Sequence, residues 1–135
     1  PRETVFHRAF DLAQSPETLL EQLIDLGTTR VLTSGGQQTA LAGAHMLARL
    51  RRLAQRRMEI LPGAGVTPEN ILHLIHATGC EQVHGSFRQR QQDPAGFVTD
   101  ETYWVTDSAC VAAASRALDQ LSGDLADPPD GESDA

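Results

Sequence analysis

Residues 58–65 read MEILPGAG, a short apolar run that ends in small residues and precedes a stretch of helical character. Three other runs are built in the same way, VFHR at 5–8, RVLTSG at 30–35 and EQVHGS at 81–86, and successive starts lie 23 to 28 residues apart. A short strand followed by a helix, repeated at such a period, is typical of the βα units of parallel sheets. The sequence therefore predicts an α/β fold of about four βα units with parallel strands, in the order β-α-β-α-β-α-β-loop-α.

The length of the chain limits how much of a barrel these units can form. A closed (β/α)8 barrel needs at least about 200 residues, whereas this chain has 135. Four βα units are half of such a barrel, so we expect a partial TIM barrel, a half-barrel fragment with its helices on one side of the sheet. We place it at residues 1–122 and expect residues 123–135, rich in Asp, Pro, Gly and Ser, to form an acidic disordered tail.

A half barrel exposes surfaces that a closed barrel buries. Two long sheet edges and the inner sheet face have no cover, and exposed edges favour pairing with other chains. We therefore expect the isolated chain to be poorly stable, to dimerise or to aggregate. The apolar residues expected to be partly exposed on the inner face are Val31, Leu32, Ile60 and Val83.

Charge and cysteine content exclude several classes of partner. The formal net charge is −7, but six of the 18 acidic residues follow the last basic residue, Arg116, so residues 1–118 carry 12 acids against 11 bases. A nearly neutral domain has no electrostatic footprint for nucleic acid or an anionic membrane, and we expect neither as a partner. Cys80 and Cys110 are far apart, which indicates neither a disulfide framework nor a zinc cluster and favours a reducing, cytoplasmic location.

Helix start and stop signals divide the rest of the chain. Ser15 and Pro16 open a first helix that Gly27 ends, and Thr67 opens a third that Gly79 ends. The basic run within 49–57 is interpreted as a solvated helix face rather than a binding patch. The other predicted segments are a second helix at roughly 39–55, a polar loop at 87–106 and a last helix from 106 or 107 to about 121.

Function is expected where the strands end, because the carboxyl ends of parallel strands carry the chemistry of such folds. His7, Arg8 and Asp11 lie at the first of these ends. The planar fork of Arg8 suits an anion, and a salt bridge to Asp11 that only fixes the turn is an equal alternative. His7, Asp11 and His84 are candidate catalytic groups, the histidines for proton transfer, although a hydrogen-bonded core histidine is the favoured interpretation of His84.

Two glycine-containing loops are candidate ligand-binding elements. Gly63 and Gly65 follow the third strand and precede a helix, where backbone N–H groups can approach a phosphate, although a tight βα turn would need the same residues. Ser34 and Gly35 form a second small-residue anion cradle or a flexible loop. Ser86 follows the fourth strand and completes the predicted binding set, and no metal-ligand set is identified.

Several of these segments resemble the carboxyl-terminal half of CutC proteins, a copper homeostasis family with a TIM-barrel fold. They are FHRAFD at 6–11, EQLIDLG at 21–27, RVLTSG at 30–35, ILPGAGV at 60–66, and Val83-His84 with Ser86. The resemblance covers residues 4–86 and, more loosely, 103–121. It implies a cytoplasmic protein of copper homeostasis, with copper ion as a bound partner, and we expect the intact protein to be a homo-oligomer.

The residues themselves favour another ligand. Copper(I) prefers thiolate and thioether ligands, and Cys80, Cys110, Met46 and Met58 form no close motif. The alternative is a TIM-barrel enzyme or metabolite-binding protein that recognises a small anionic, phosphorylated ligand at the carboxyl ends of the strands. The sequence identifies neither its substrate nor a reaction.

Overall fold

Three short parallel strands form the centre of the structure, a computed structural model that describes residues 2–94 and 102–124. They are β1 (Val5–Phe6), β2 (Arg30–Thr33) and β3 (Glu59–Pro62), in the spatial order β1-β2-β3. Phe6 lies opposite Val31, which lies opposite Ile60. The predicted α/β class and the first three parallel strands are thus confirmed, and the sheet does not close into a barrel.

The fourth predicted strand, 81–86, is reduced to a single parallel bridge between Gly63 and His84. The His84 N–H donates to the carbonyl of Pro62 at 2.8 Å. Three residues beyond the bridge, Phe87 has a φ of 42° and turns the chain into a new direction. The prediction of a full fourth strand is therefore wrong, although the segment runs parallel to β3 as expected.

Four helices accompany the strands: α1 (Pro16–Asp25), α2 (Ala44–Ala54), α3 (Ile71–Thr78) and α4 (Ser108–Asp124). A 3-10 helix, Arg8–Leu12, follows β1. The predicted start of α1 is confirmed, whereas α2 and α3 begin later than expected. Residues 67–70 form a turn instead, in which the Asn70 side chain accepts from the Thr67 N–H and donates to the Gly65 carbonyl.

The predicted polar loop at 87–106 contains an antiparallel hairpin, so that prediction is wrong for the described part of the segment. Its strands are β4 (Arg88–Gln92) and β5 (Thr102–Thr106), and residues 95–101 lie outside the described residues. The guanidinium groups of Arg88 and Arg90 lie 4.6 and 5.4 Å from the centre of the Trp104 ring. Such cross-strand contacts stabilise a ribbon that has no apolar face.

Burial alternates along the strands, since successive side chains point to opposite faces. Val31 and Ile60 are 0% and 5% exposed on the face that the helices cover, so the expectation that they would be partly exposed is wrong. Leu32 and Val83 are partly exposed, as expected. The uncovered face, here called the open face, carries Val5, Arg30, Leu32, Glu59 and Leu61.

Two further predictions concern the surroundings and the end of the chain. Within the described ranges, none of the helices is long and apolar enough to cross a membrane. Residues 123 and 124 belong to the end of α4, and residues 125–135 lie outside the described residues. The acidic disordered tail therefore stays a prediction.

Candidate functional site

Asp11 is the centre of a hydrogen-bond cluster at the carboxyl ends of β1 and β2. Its side chain is 9% exposed. The carboxylate accepts hydrogen bonds from the Thr33 hydroxyl and from the backbone N–H groups of Ser34 and Gly36, the last two at 3.0 and 3.1 Å. Arg8 Nε donates a further bond at 2.8 Å. These contacts hold the loop after β1 against the loop after β2.

The small-residue loop at 34–36 does cradle an anion, and this anion is the carboxylate of Asp11. The Gly35 N–H donates to Thr33 Oγ1 at 2.9 Å. Gly35 has a φ of +70°, and a Cβ at this position would lie 2.6 Å from the Gly43 carbonyl oxygen, so only glycine fits. Since these N–H groups are bonded within the chain, an external anion would have to displace Asp11 to use them.

The hydrogen bonds also decide the ionisation of Asp11. Burial by itself raises the pKa of this carboxyl, but the bonds from Thr33, Arg8, Gly36 and Ser34 outweigh burial and hold the pKa below its ordinary value of 3.8. Asp11 is therefore a carboxylate at neutral pH. Because its oxygens already accept several bonds, it is suited to holding neighbouring groups in place rather than to taking up a proton.

Arg8 forms the predicted salt bridge with Asp11 and contacts β2 as well. Its Nη2 donates to the Ser34 hydroxyl at 3.0 Å. The hydroxyl of Ser34 lies 2.5 Å from the Gln37 carbonyl oxygen, to which it donates. The Arg8 side chain remains 45% exposed, so the salt bridge fixes the guanidinium without burying it.

The two candidate histidines are exposed at the same end of the strands. His7 Nδ1 accepts a hydrogen bond from the Ala9 N–H at 3.0 Å, which leaves Nε2 to carry the proton of the neutral ring. His84 is held through its backbone by the bridge to Gly63. Neither imidazole has a described hydrogen bond to Asp11, so the three candidate catalytic groups do not form a relay.

The structure gives packing reasons for Gly63 and Gly65. A Cβ on Gly63 would lie 2.6 Å from Leu32 Cδ1, and a Cβ on Gly65, whose φ is +66°, would lie 3.0 Å from Thr39 Cγ2. The positive φ of Gly65 fits the tight turn that was the alternative interpretation, whereas the atom that a Cβ on Gly63 would meet is the movable end of the Leu32 side chain. Their role in binding a ligand stays a prediction, as does that of Ser86, which is exposed two residues beyond the bridge.

Direct contacts join five of the nine predicted residues, in two groups. Hydrogen bonds join Arg8, Asp11 and Ser34, and the parallel bridge joins Gly63 to His84. Sequence reasoning missed Thr33 and Gly36, although a Thr that ends a strand before small residues is a signal for a hydroxyl facing the loop. Their partner lies 22 and 25 residues away, which no local pattern indicates.

The described residues contain no group of three or more His, Cys, Asp or Glu side chains that could hold a metal ion. Cys80 is buried, and burial raises the pKa of its thiol, while a hydrogen bond from Thr78 and the charge of Arg51 act in the opposite direction. Cys110 lies in the first turn of α4, where the carboxylate of Asp107 raises the pKa of its thiol. Both thiols are free.

Comparison with known proteins connects this geometry to a family. The model of the CutC family matches residues 1–89. A CutC family protein of Treponema denticola is 42% identical over 103 residues, which cover 76% of this chain and 42% of the relative. A second, from Caulobacter vibrioides, is 41% identical over 126 residues, which cover 87% of this chain and 51% of the relative.

A solved structure agrees with the sequence comparison. The match is the crystal structure of a protein described as the putative copper homeostasis protein CutC from Streptococcus agalactiae. The two structures agree with a TM-score of 0.58 and 34% sequence identity. The match covers 62% of this chain and 41% of that protein. The chain thus spans about half the length of the curated relatives it matches. Because the family model covers more than half of its residues and the fold matches a CutC barrel, the chain belongs to the CutC family.

Proposed function

We propose that this chain binds a small anionic metabolite at the carboxyl ends of its strands, with Arg8 as the residue that contacts the anion. One observation carries the proposal: Asp11 and Ser34 fix the Arg8 guanidinium at this end of the sheet, and 45% of the side chain stays exposed. A guanidinium held in one orientation loses little conformational freedom when it binds a planar or tetrahedral anion.

The donor inventory of Arg8 supports this role. A guanidinium has five N–H donors, of which one on Nε and one on Nη2 are used within the chain. The remaining donors include those of Nη1 and can pair with two oxygens of a phosphate or carboxylate at once. Asp11 then acts as a positioning residue, because its negative charge orients Arg8.

His7 and His84 are the proton-transfer candidates of such a site. An imidazole can donate or accept a proton near neutral pH, and both rings are exposed at the same end of the strands as Arg8. In His7 the Nδ1 accepts from the Ala9 N–H and Nε2 carries the proton, so this ring can donate a hydrogen bond to an anion and proton uptake falls to His84. A reaction is not assigned, and the proposal is limited to binding with proton transfer available.

The proposal is tested by titrating inorganic phosphate into the purified chain and measuring the heat of binding. Arg8→Gln should weaken phosphate binding at least about tenfold, since a charge-assisted bidentate contact is lost. Arg8→Lys should weaken it less, because the charge remains while the fork is lost. Arg57→Gln is the control, since Arg57 pairs with Glu21 on the helical side. Equal phosphate affinity in wild type and in Arg8→Gln would refute the proposal.

A role in copper homeostasis is the second candidate, supported by membership of the family and by the name of the Streptococcus agalactiae relative. One structural observation favours it, since Cys80 and Met58 line the same cavity and are both soft ligands. The raised pKa of the Cys80 thiol counts against it, because the thiolate is the form that binds metal. Anion binding is therefore the better supported function of this chain.

A further inference from the structure

A cavity of about 440 Å³ opens at the amino-terminal end of β3, at the opposite end of the strands from Arg8. Its walls are the last turn of α2 with the residues that follow it, the first residues of β3, and residues 80–82. The volume lies within the range of roughly 300–1,000 Å³ that is common for small-molecule sites. This cavity is separate from the site proposed above.

The cavity exists because β3 and the segment 80–84 pair at one point alone. Their described bridge joins Gly63 to His84, at the carboxyl end. No ladder of hydrogen bonds in the described chain closes the space between Glu59 and Glu81 at the amino-terminal end. The gap is covered from one side by the end of α2, which turns it into a pocket.

Three arginines line this pocket: Arg51, Arg52 and Arg56. In the described part of the chain, none of them has a carboxylate within ion-pair distance. Of the two acidic residues in the wall, Glu59 is held by Arg30, whose Nη2 lies 2.6 Å from its carboxylate. The pocket therefore has an excess of positive charge, with Glu81 as the remaining acid.

The arginines of α2 that lie away from the pocket behave differently. Arg49 pairs with Glu17 at 3.1 Å, and Arg57, just after the helix, pairs with Glu21 at 2.7 Å. The chain thus supplies carboxylate partners for the arginines on the side of α1 and leaves those around the pocket without them. All five arginines of this run are exposed, as expected of a solvated helix face, and they differ in whether a carboxylate pairs with them.

The backbone after α2 is strained where it forms the pocket wall. Gln55 and Arg56 have φ values of 49° and 65°, a left-handed conformation that residues with a Cβ rarely adopt. Two such residues in succession turn the chain sharply from α2 into β3 and keep both side chains at the cavity. A left-handed residue at the end of a helix is a common way for the helix to stop, and here it fixes the course of the chain along the pocket wall.

The floor of the pocket is apolar. Met58, Ile60 and Cys80 line it and are 3%, 5% and 3% exposed. The raised pKa of the Cys80 thiol keeps it neutral near pH 7, so the floor adds no negative charge. A ligand that fits both parts has an anionic head for the arginines and an apolar body for the floor.

We propose that this pocket binds a small organic anion, a phosphate or carboxylate attached to an apolar or aromatic group, through Arg51, Arg52 and Arg56. Phenyl phosphate is a suitable probe because its ring can lie over the exposed part of the floor and the apolar stems of the arginines while its phosphate meets the guanidinium groups. Inorganic phosphate, which lacks the ring, should bind the pocket at least about tenfold more weakly.

Methionine methyl resonances provide a local measurement, since the chain contains two methionines. With methyl-labelled methionine in the full chain, phenyl phosphate should shift the signal of Met58, which lines the pocket, and leave that of Met46, which does not. Saturation of the Met58 shift gives the affinity of the pocket itself. An unchanged Met58 signal at millimolar phenyl phosphate would overturn the proposal in the wild-type chain, whatever the variants do.

The arginines are tested with charge-matched variants. Arg52→Gln with Arg56→Gln should weaken the Met58 response at least about tenfold. The control, Arg49→Gln with Arg57→Gln, removes two charges from the same region. It should leave the affinity measured from the Met58 shift within about twofold of wild type, which excludes an effect of net charge. Arg8→Gln should also leave the affinity measured from the Met58 shift unchanged. The pocket proposal can therefore fail while the Arg8 proposal holds, and the reverse. Equal weakening in the control pair would refute the assignment.

Discussion

Replacement of Asp11 tests whether one carboxylate holds the two strand-end loops together. In Asp11→Asn the side chain keeps one acceptor oxygen, which can still receive the bonds from Thr33, Ser34 and Gly36. The amide nitrogen then faces Arg8 Nε, so the salt bridge is replaced by two donors that oppose each other. The variant thus removes charge while it preserves shape.

The magnitude follows from the contacts. Hydrogen bonds to a charged group contribute about 1.5–3 kcal/mol each and neutral ones about 1 kcal/mol, so the partly buried bonds from Thr33 and Ser34 and the exposed bond from Gly36 each lose part of their strength. The bond to the half-exposed Arg8 adds little because solvent screens it. We expect Asp11→Asn to lower the free energy of unfolding by about 2–3 kcal/mol, and Asp11→Ala, which leaves donors without an acceptor, by about 3–5 kcal/mol.

Urea unfolding followed by far-UV circular dichroism measures this loss. Asp25→Asn, at an exposed position at the end of α1, is the matched control and should change stability by less than about 0.5 kcal/mol. A loss in Asp11→Asn no larger than that of the control would refute the interpretation of Asp11 as the centre of the cluster.

The same cluster predicts a dependence on pH. The pKa of folded Asp11 lies below its ordinary value of 3.8, so the unfolded chain takes up a proton first as the pH falls. The stabilisation is therefore fully present above the unfolded pKa and is lost as the pH falls from there through the lower folded value. The difference in stability between wild type and Asp11→Asn should shrink over this window, and a constant difference would contradict it.

Three further predictions follow from packing and composition. Gly63→Val should destabilise the chain by about 1–3 kcal/mol in urea unfolding, and Leu32→Ala should recover part of this loss by removing the atom that a Cβ would meet; a loss that Leu32→Ala leaves unchanged would contradict this. In competition with a copper(I) chelator, the chain should bind copper(I) no more tightly than unfolded thiol peptides do. Tight copper(I) binding that disappears in Cys80→Ser with Cys110→Ser would contradict this and indicate a copper site. Sedimentation should show self-association through the open face, and a stable monomer with a cooperative melt would argue against it.

The helices were predictable where local chemistry fixes their ends. Ser15 and Pro16 start α1, and Gly79, with a φ of +68°, ends α3 as expected. The fourth strand was not predictable, because a strand needs a partner along its length and the segment that contains His84 meets β3 at one residue. The hairpin was missed because RQRQQ has no apolar alternation, and its order comes from contacts across the ribbon with Trp104.

In the candidate site, too, local sequence predicts some residues, whereas others matter only through contacts with residues that are distant in the sequence. A strand-end position was enough to select Arg8 and Asp11, and their salt bridge spans three residues. The roles of Thr33 and Gly36 depend on a carboxylate more than twenty residues away, so only the fold reveals them. The sequence also offered Gly63 as a ligand-binding residue, which stays a prediction, and the structure adds a close approach to the movable end of the Leu32 side chain.

The internal use of the 34–36 cradle restricts how an anion can be recognised at the carboxyl end. Backbone N–H groups are the usual means of holding phosphate in such loops, but here Ser34 and Gly36 already donate to Asp11. At this loop recognition must then come from the Arg8 side chain, and one exposed guanidinium gives an affinity on the order of millimolar. Tighter binding would require further groups, from the predicted 63–65 loop or, since the chain spans about half the length of its relatives, from the rest of a longer protein.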